Sequence, residues 1–145
     1  MITVQFPEPD FLIKKEGEKR YVFDTIRKTW LLLTEEEWVR QNFVAYLVKV
    51  LHYPQTLIAL EKEIALNGLK KRFDILVYDK EHKPWLMVEC KAPSVRLSEE
   101  VLQQALRYNL SVPVSYIIIT NGDASIAWEK EDGKLTLLQT LPQWK

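Results

Sequence analysis

Arg72-Phe73-Asp74-Ile75-Leu76-Val77-Tyr78, and after a polar interval Trp85-Leu86-Met87-Val88-Glu89-Cys90-Lys91, are the two runs on which the reading of this chain turns. Both are apolar and rich in β-branched or aromatic residues, and Asp79-Lys80-Glu81-His82-Lys83-Pro84 separates them. They read as neighbouring antiparallel strands of a central sheet. The informative residues are the charged ones set into this apolar background. Side chains alternate along a strand, so Glu89 and Lys91 share one face while Cys90 points to the other, into core. Burying an unpaired carboxylate is costly, and such acids find a partner or a metal. Two carboxylates converging with a lysine can hold a hard divalent cation and orient water against a phosphate. The expectation is therefore that Asp74, Glu89 and Lys91 lie on one face around one water-sized space. The pattern acid-x-Lys also occurs at Glu81-His82-Lys83 and Asp132-Gly133-Lys134, but only the copy at 89–91 closes an apolar strand.

Outward from this pair, the pattern predicts a β-hairpin over 11–23, around the charged turn at Gly17. Thr34, with Glu37 three residues on, has the form of a capping box. It opens a helix through Trp38, Val44, Leu47 and Leu51, with Pro54 beyond its end. Residues 57–66 read as a strand, although Leu60-Glu61-Lys62-Glu63-Ile64 could also form a short helix. Asn67-Gly68 signals a turn. Ser98 caps a second helix to about Asn109, 114–120 is a buried strand, Asn121-Gly122 is a turn, and 126–138 is a hairpin around Asp132-Gly133. The order ββ-α-β-ββ-α-β-ββ specifies an α/β fold, a central mixed β-sheet flanked by helices with a hairpin at each end. No repeat, low-complexity tract or linker interrupts it, so residues 1–145 read as a single domain.

Composition narrows the function classes. Lys+Arg and Asp+Glu both number 20, so the chain is not a general polycation, although a local basic groove is compatible with zero net charge. The single cysteine cannot form an internal disulfide, and no Cys/His cluster has zinc-ligand spacing. There is no secretory signal and no apolar run of bilayer length, which makes a cytoplasmic protein with no membrane partner the expectation.

Arg72-Phe73-Asp74 followed by Val88-Glu89-Cys90-Lys91-Ala92-Pro93 resembles the PD-(D/E)XK nuclease superfamily. Within it, the chain is similar to the N-terminal nuclease domain of type I restriction enzyme R subunits. The likeness extends to Glu36-Glu37-Trp38-Val39-Arg40-Gln41 on the first helix. It extends also to Gln104-Ala105-Leu106-Arg107-Tyr108 on the second, which matches a QxxxY motif. The resemblance implies a restriction-endonuclease-like fold and a magnesium-dependent endonuclease, with manganese able to substitute. Asp74 and Glu89 would bind the metal, with Glu37 (or, nearly as well placed, Glu36) as the acid from the helix. Lys91 would position the attacking water or steady the developing charge. Gln104 and Tyr108 would lean toward the site or the nucleic-acid backbone, and Lys70, Lys71 and Arg72 would contact phosphates. The implied substrate is DNA, in restriction-like defence or repair. The alternative is a nuclease-fold module that binds nucleic acid or a partner and cuts little by itself. R subunits continue into an ATP-driven motor. This sequence has no G-x-x-x-x-G-K-[ST] loop and so no ATP site, and a motor or specificity partner would come from another chain. A double-strand cut needs two active sites, which a homodimer would supply.

Plainer readings exist for each residue. Asp74, Glu89 and Lys91 could form ion pairs on a solvated face. Glu36 and Glu37 could complement the helix dipole. Gln104 and Tyr108 could be a polar helix edge and a core aromatic, and 70–72 a solvated hairpin flank.

Overall fold

The structure is a computed structural model that describes residues 1–66 and 68–145. Two sheets enclose the first helix. The smaller is a meander of β1 (Ile13–Glu16), β2 (Lys19–Asp24) and β3 (Thr29–Leu32). The larger runs in the order β4 (Ile58–Leu66), β5 (Leu69–Tyr78), β6 (Pro84–Cys90), β7 (Tyr116–Thr120), β8 (Ser125–Glu131) and β9 (Lys134–Leu137). All its pairings are antiparallel except β6 with β7, which is parallel and bridged by the second helix. This is the expected α/β architecture of a mixed sheet with helices packed on it. The region at 57–66 is strand, and β5 and β6 pair antiparallel as read from sequence. Asn67 of the expected Asn67-Gly68 turn lies outside the described residues. The amino-terminal hairpin gains a third strand that the sequence reading missed.

Helix α1 (Glu35–Lys49) starts where the cap predicts, the Glu37 N–H donating to Thr34 Oγ1 at 3.0 Å. Three glutamates in its first turn and a lysine in its last complement the dipole. The helix is buried on more than one side because it lies between the two sheets. Val39, Phe43, Val44 and Leu47 pack into a core with Ile58, Leu60, Ile75, Val77, Val88 and Cys90 of the large sheet. Trp38 meets Phe11 edge-on at 5.6 Å between ring centroids, and Val22 of β2 is fully buried. Phe43 is fully enclosed, so truncating it to alanine would cost about 3–5 kcal/mol. Helix α2 (Glu99–Asn109) covers the other face of the large sheet, over a second core of Phe73, Leu76, Met87, Ile117 and Ile119. No helix among the described residues is long and apolar enough to cross a membrane.

One irregularity positions the site. In β5, Phe73 belongs to the core under α2 and Ile75 to the core under α1, although residues two apart on a regular strand share a face. On β4, Ile58 and Leu60 face α1 while Ile64 packs on the α2 side. The pairing passes from Leu60↔Ile75 to Lys62↔Phe73, so the alternation inverts on both strands across Glu61 and Asp74. Glu61 takes a left-handed backbone (φ 51°), which costs a non-glycine residue about 1–3 kcal/mol and marks sites the surroundings over-determine.

Candidate active site

The inversion turns Asp74 toward α1. Its Oδ2 accepts the backbone N–H of Cys90 at 2.7 Å, tying the carboxylate to the strand that carries Glu89. Its Oδ1 lies 3.2 Å from Nη2 of Arg40. The same nitrogen lies 2.9 Å from Glu36 Oε1 and 2.9 Å from Glu61 Oε1. Glu36, Glu61 and Asp74 thus each present a carboxylate oxygen, all within 4.8 Å of one another. Burial, and then the neighbouring Asp74 charge, raise the Glu36 pKa above the ordinary carboxylate value despite the opposing pull of Arg40. Burial works against the Arg40 charge, but Glu37, Asp74 and Glu61 outweigh it and raise the guanidinium pKa above its ordinary value.

Glu37 sits outside the three converging carboxylates, in a network with Arg27 and Arg40. It is 6% exposed, and both its oxygens are taken by Arg27 Nη2 (3.2 Å each), Arg40 Nη1 (2.8 Å) and Gln41 Nε2 (3.1 Å). Arg27, from the turn between β2 and β3, is itself held by Asp24 at 2.5 Å. An open cleft lies over this network, lined by Arg27, Thr34, Glu36, Arg40, Glu61 and Arg72 among others.

Glu89 and Lys91 share a side, as alternation requires, and pair at 3.0 Å. They line a second cleft with Gln104, Tyr108, Val101 and Ala105 of α2, and Asn109 Nδ2 donates to Glu89 Oε1 at 3.3 Å. Cys90 faces the opposite core, as expected, and its thiol pKa is pushed up by burial and by Asp74. The expectation of a common face for Asp74, Glu89 and Lys91 is not met. Asp74 lies one step beyond the last registered pair, Ile75↔Val88, and so opposite Glu89, but it bonds toward α1 while Glu89 bonds toward α2. The cause is the inversion at Glu61 and Asp74, which a strict period of two does not anticipate.

The basic run also divides. Lys70 and Arg72 are 77% and 67% exposed in their side chains, and Arg72 Nε pairs with Glu61 Oε2 at 2.9 Å. Lys71 points the other way and is buried. It donates to the Tyr108 carbonyl and lies 4.8 Å from the Tyr108 ring centroid, so it caps the end of α2 rather than facing solvent. Sequence reasoning missed Glu61, Arg27 and Asn109 and gave Arg40 no role. The only trace of Glu61 was an acid within a segment whose helix and strand readings competed.

The family model for the type I restriction enzyme R protein N terminus matches residues 35–142, from the start of α1 to beyond β9. A solved structure, a candidate nuclease of the DUF820 group from Anabaena variabilis, is similar at 11% identity over 88% of this chain and 80% of that one, with a TM-score of 0.49. No curated protein matches in sequence.

Proposed function

This chain belongs to the family of type I restriction enzyme R protein N termini, and we propose that it is a divalent-metal-dependent nuclease domain of PD-(D/E)XK type acting on DNA. The observation that carries this reading is the convergence of Glu36, Glu61 and Asp74 beside the strand of Glu89 and Lys91. The donor set fits a hard cation such as magnesium or manganese, since it offers oxygen alone. Glu36, Glu61 and Asp74, whose oxygens lie within 4.8 Å of one another around Arg40 Nη2, would be the residues to hold it. A bound cation would supply Lewis acidity toward a phosphoryl oxygen.

The chain's own residues do the rest. Lys91 offers a partly exposed ammonium for a phosphate oxygen, and Glu89 beside it orients that ammonium and can accept a proton from water. Gln104 and Tyr108 form the α2 wall of the Glu89–Lys91 cleft, where amide and ring can meet the nucleic-acid backbone or a base. Arg72, in the lining of the first cleft, and the exposed Lys70 on the same strand contact phosphates. A motor or specificity chain supplies whatever translocation the activity requires.

A second reading, a nuclease-fold binding module with little activity of its own, is favoured by Asp74 and Glu89 bonding into different layers. Incubation of the pure protein with plasmid and with single-stranded DNA, in magnesium, manganese or EDTA, separates the two. Cleavage abolished by EDTA, by Asp74→Asn and by Lys91→Ala supports the nuclease. Binding without cleavage in every metal supports the module.

A further inference from the structure

Resting on the metal-dependent reading above, we infer that Arg40 is an internal counter-ion standing in the cation seat, so that guanidinium and divalent cation compete for the carboxylates of Glu36, Glu61 and Asp74.

Three observations carry this. The first is a mismatch in hydrogen-bonding capacity. Arg40 Nη2 has two N–H groups but three carboxylate oxygens at 2.9, 2.9 and 3.2 Å. A spherical ion serves three converging oxygens equally, whereas a planar fork leaves one of them facing nitrogen without a proton. The second is Arg40 Nε, which is buried with no hydrogen-bond partner, on a side chain only 3% exposed and aimed into the cluster. An unpaired buried N–H is costly, and this one persists because the carboxylates hold the far end of the fork. The third is local charge. The ion pairs join Asp24, Glu36, Glu37, Glu61 and Asp74 to Arg27, Arg40 and Arg72. Five carboxylates meet three guanidinium groups, which leaves two negative charges unbalanced, the charge that one divalent cation supplies.

Glu61 becomes a metal ligand on this account, and its left-handed backbone is what brings a carboxylate from β4 into the seat. Glu37 is the pivot. Its 2.8 Å bond to Nη1 holds one arm of the rigid fork, so rotation about that bond would carry Nη2 out of the seat while Arg40 stays in the helix-borne network. In the absence of metal the guanidinium screens carboxylates that would otherwise repel one another.

The test is manganese binding by the full chain without nucleic acid, read by titration calorimetry and by melting temperature. Arg40→Met should melt lower than wild type in EDTA, bind manganese at least tenfold more tightly, and recover most of its lost melting temperature in the metal. Glu61→Gln should weaken manganese binding at least tenfold in either background. A folded Arg40→Met with wild-type or weaker affinity overturns the competition. Should Arg40→Met not fold, magnesium titration of wild type labelled with nitrogen-15 decides, through the Arg40 Nε–H resonance. It shifts in step with binding if the guanidinium leaves the seat, and a resonance unmoved at saturation overturns the inference. The broader reading fails separately, through absence of metal-dependent cleavage and of any divalent-ion binding in both proteins.

Discussion

Replacing Glu37 with glutamine separates an acid that holds the fold from one that holds a metal. Both carboxylate oxygens face donors in the structure. Oε1 receives Arg27 Nη2 and Arg40 Nη1, and Oε2 receives Arg27 Nη2 and Gln41 Nε2. Whichever way the new amide turns, its NH2 meets an N–H, so one to two contacts become repulsive and the charge is lost. Breaking a buried ion pair by removing one partner costs roughly 3–5 kcal/mol. The lower end applies here, because Arg40 keeps Glu36, Glu61 and Asp74 and Arg27 keeps Asp24. A loss of about 3 kcal/mol lowers the melting temperature of a domain this size by about 9 °C, at roughly 3 °C per kcal/mol. Urea unfolding by circular dichroism reads the free energy, and the same melts repeated in manganese read the metal response. The variant should be a less stable protein whose stabilisation by manganese survives. Wild-type stability together with loss of the manganese response would make Glu37 a ligand and refute the structural assignment.

Other perturbations bear on separate parts of the account. Thr34→Ala removes the oxygen that accepts the Glu37 N–H and should cost about 1 kcal/mol in urea unfolding, with cleavage per folded molecule unchanged. Lys71→Met should lower stability by about 1–3 kcal/mol, because the Tyr108 carbonyl and the Ser111 hydroxyl lose their donor, while leaving DNA affinity intact. Arg72→Glu should do the reverse, weakening binding to all sequences alike and flattening its salt dependence in anisotropy titrations at low ionic strength. The Cys90 thiol, buried and with a raised pKa, should resist alkylation in the native protein and react only on unfolding. Labelling at the same rate with and without denaturant would contradict that burial.

Much of the fold was legible because local signals and tertiary structure agree. Thr34 and Ser98 cap the helices they were expected to cap, and the β5–β6 and β8–β9 pairs form where apolar runs flank polar turns. The same cap shows the limit of local reading. The capping box would send the Glu37 side chain back to the residue before the helix, yet two arginines and a glutamine claim it. β3 escaped notice because Trp30 and Leu32 lie exposed on an edge strand, where no alternation is imposed. The sharing of a face by Glu89 and Lys91 was legible from period alone. The face of Asp74 was not, since β4 and β5 both invert at one level, where Arg40 of α1 joins Glu61 to Asp74 across a long stretch of sequence.

Helix α1 lies between two sheets, and this bears on how the protein can be dissected. The family match begins at residue 35, where the helix begins, but the molecule has no seam there. Cutting at that boundary would strip away Phe11 from Trp38, Arg27 from Glu37, and the buried Val22, wetting one flank of the helix that carries Glu36 and Arg40. The region that sequence comparison recognises is therefore expected to be narrower than the unit that unfolds together. An excised 35–142 fragment is expected to collapse or aggregate rather than behave as a minimal enzyme, and inactivity in such a fragment would report lost scaffolding, not absent chemistry.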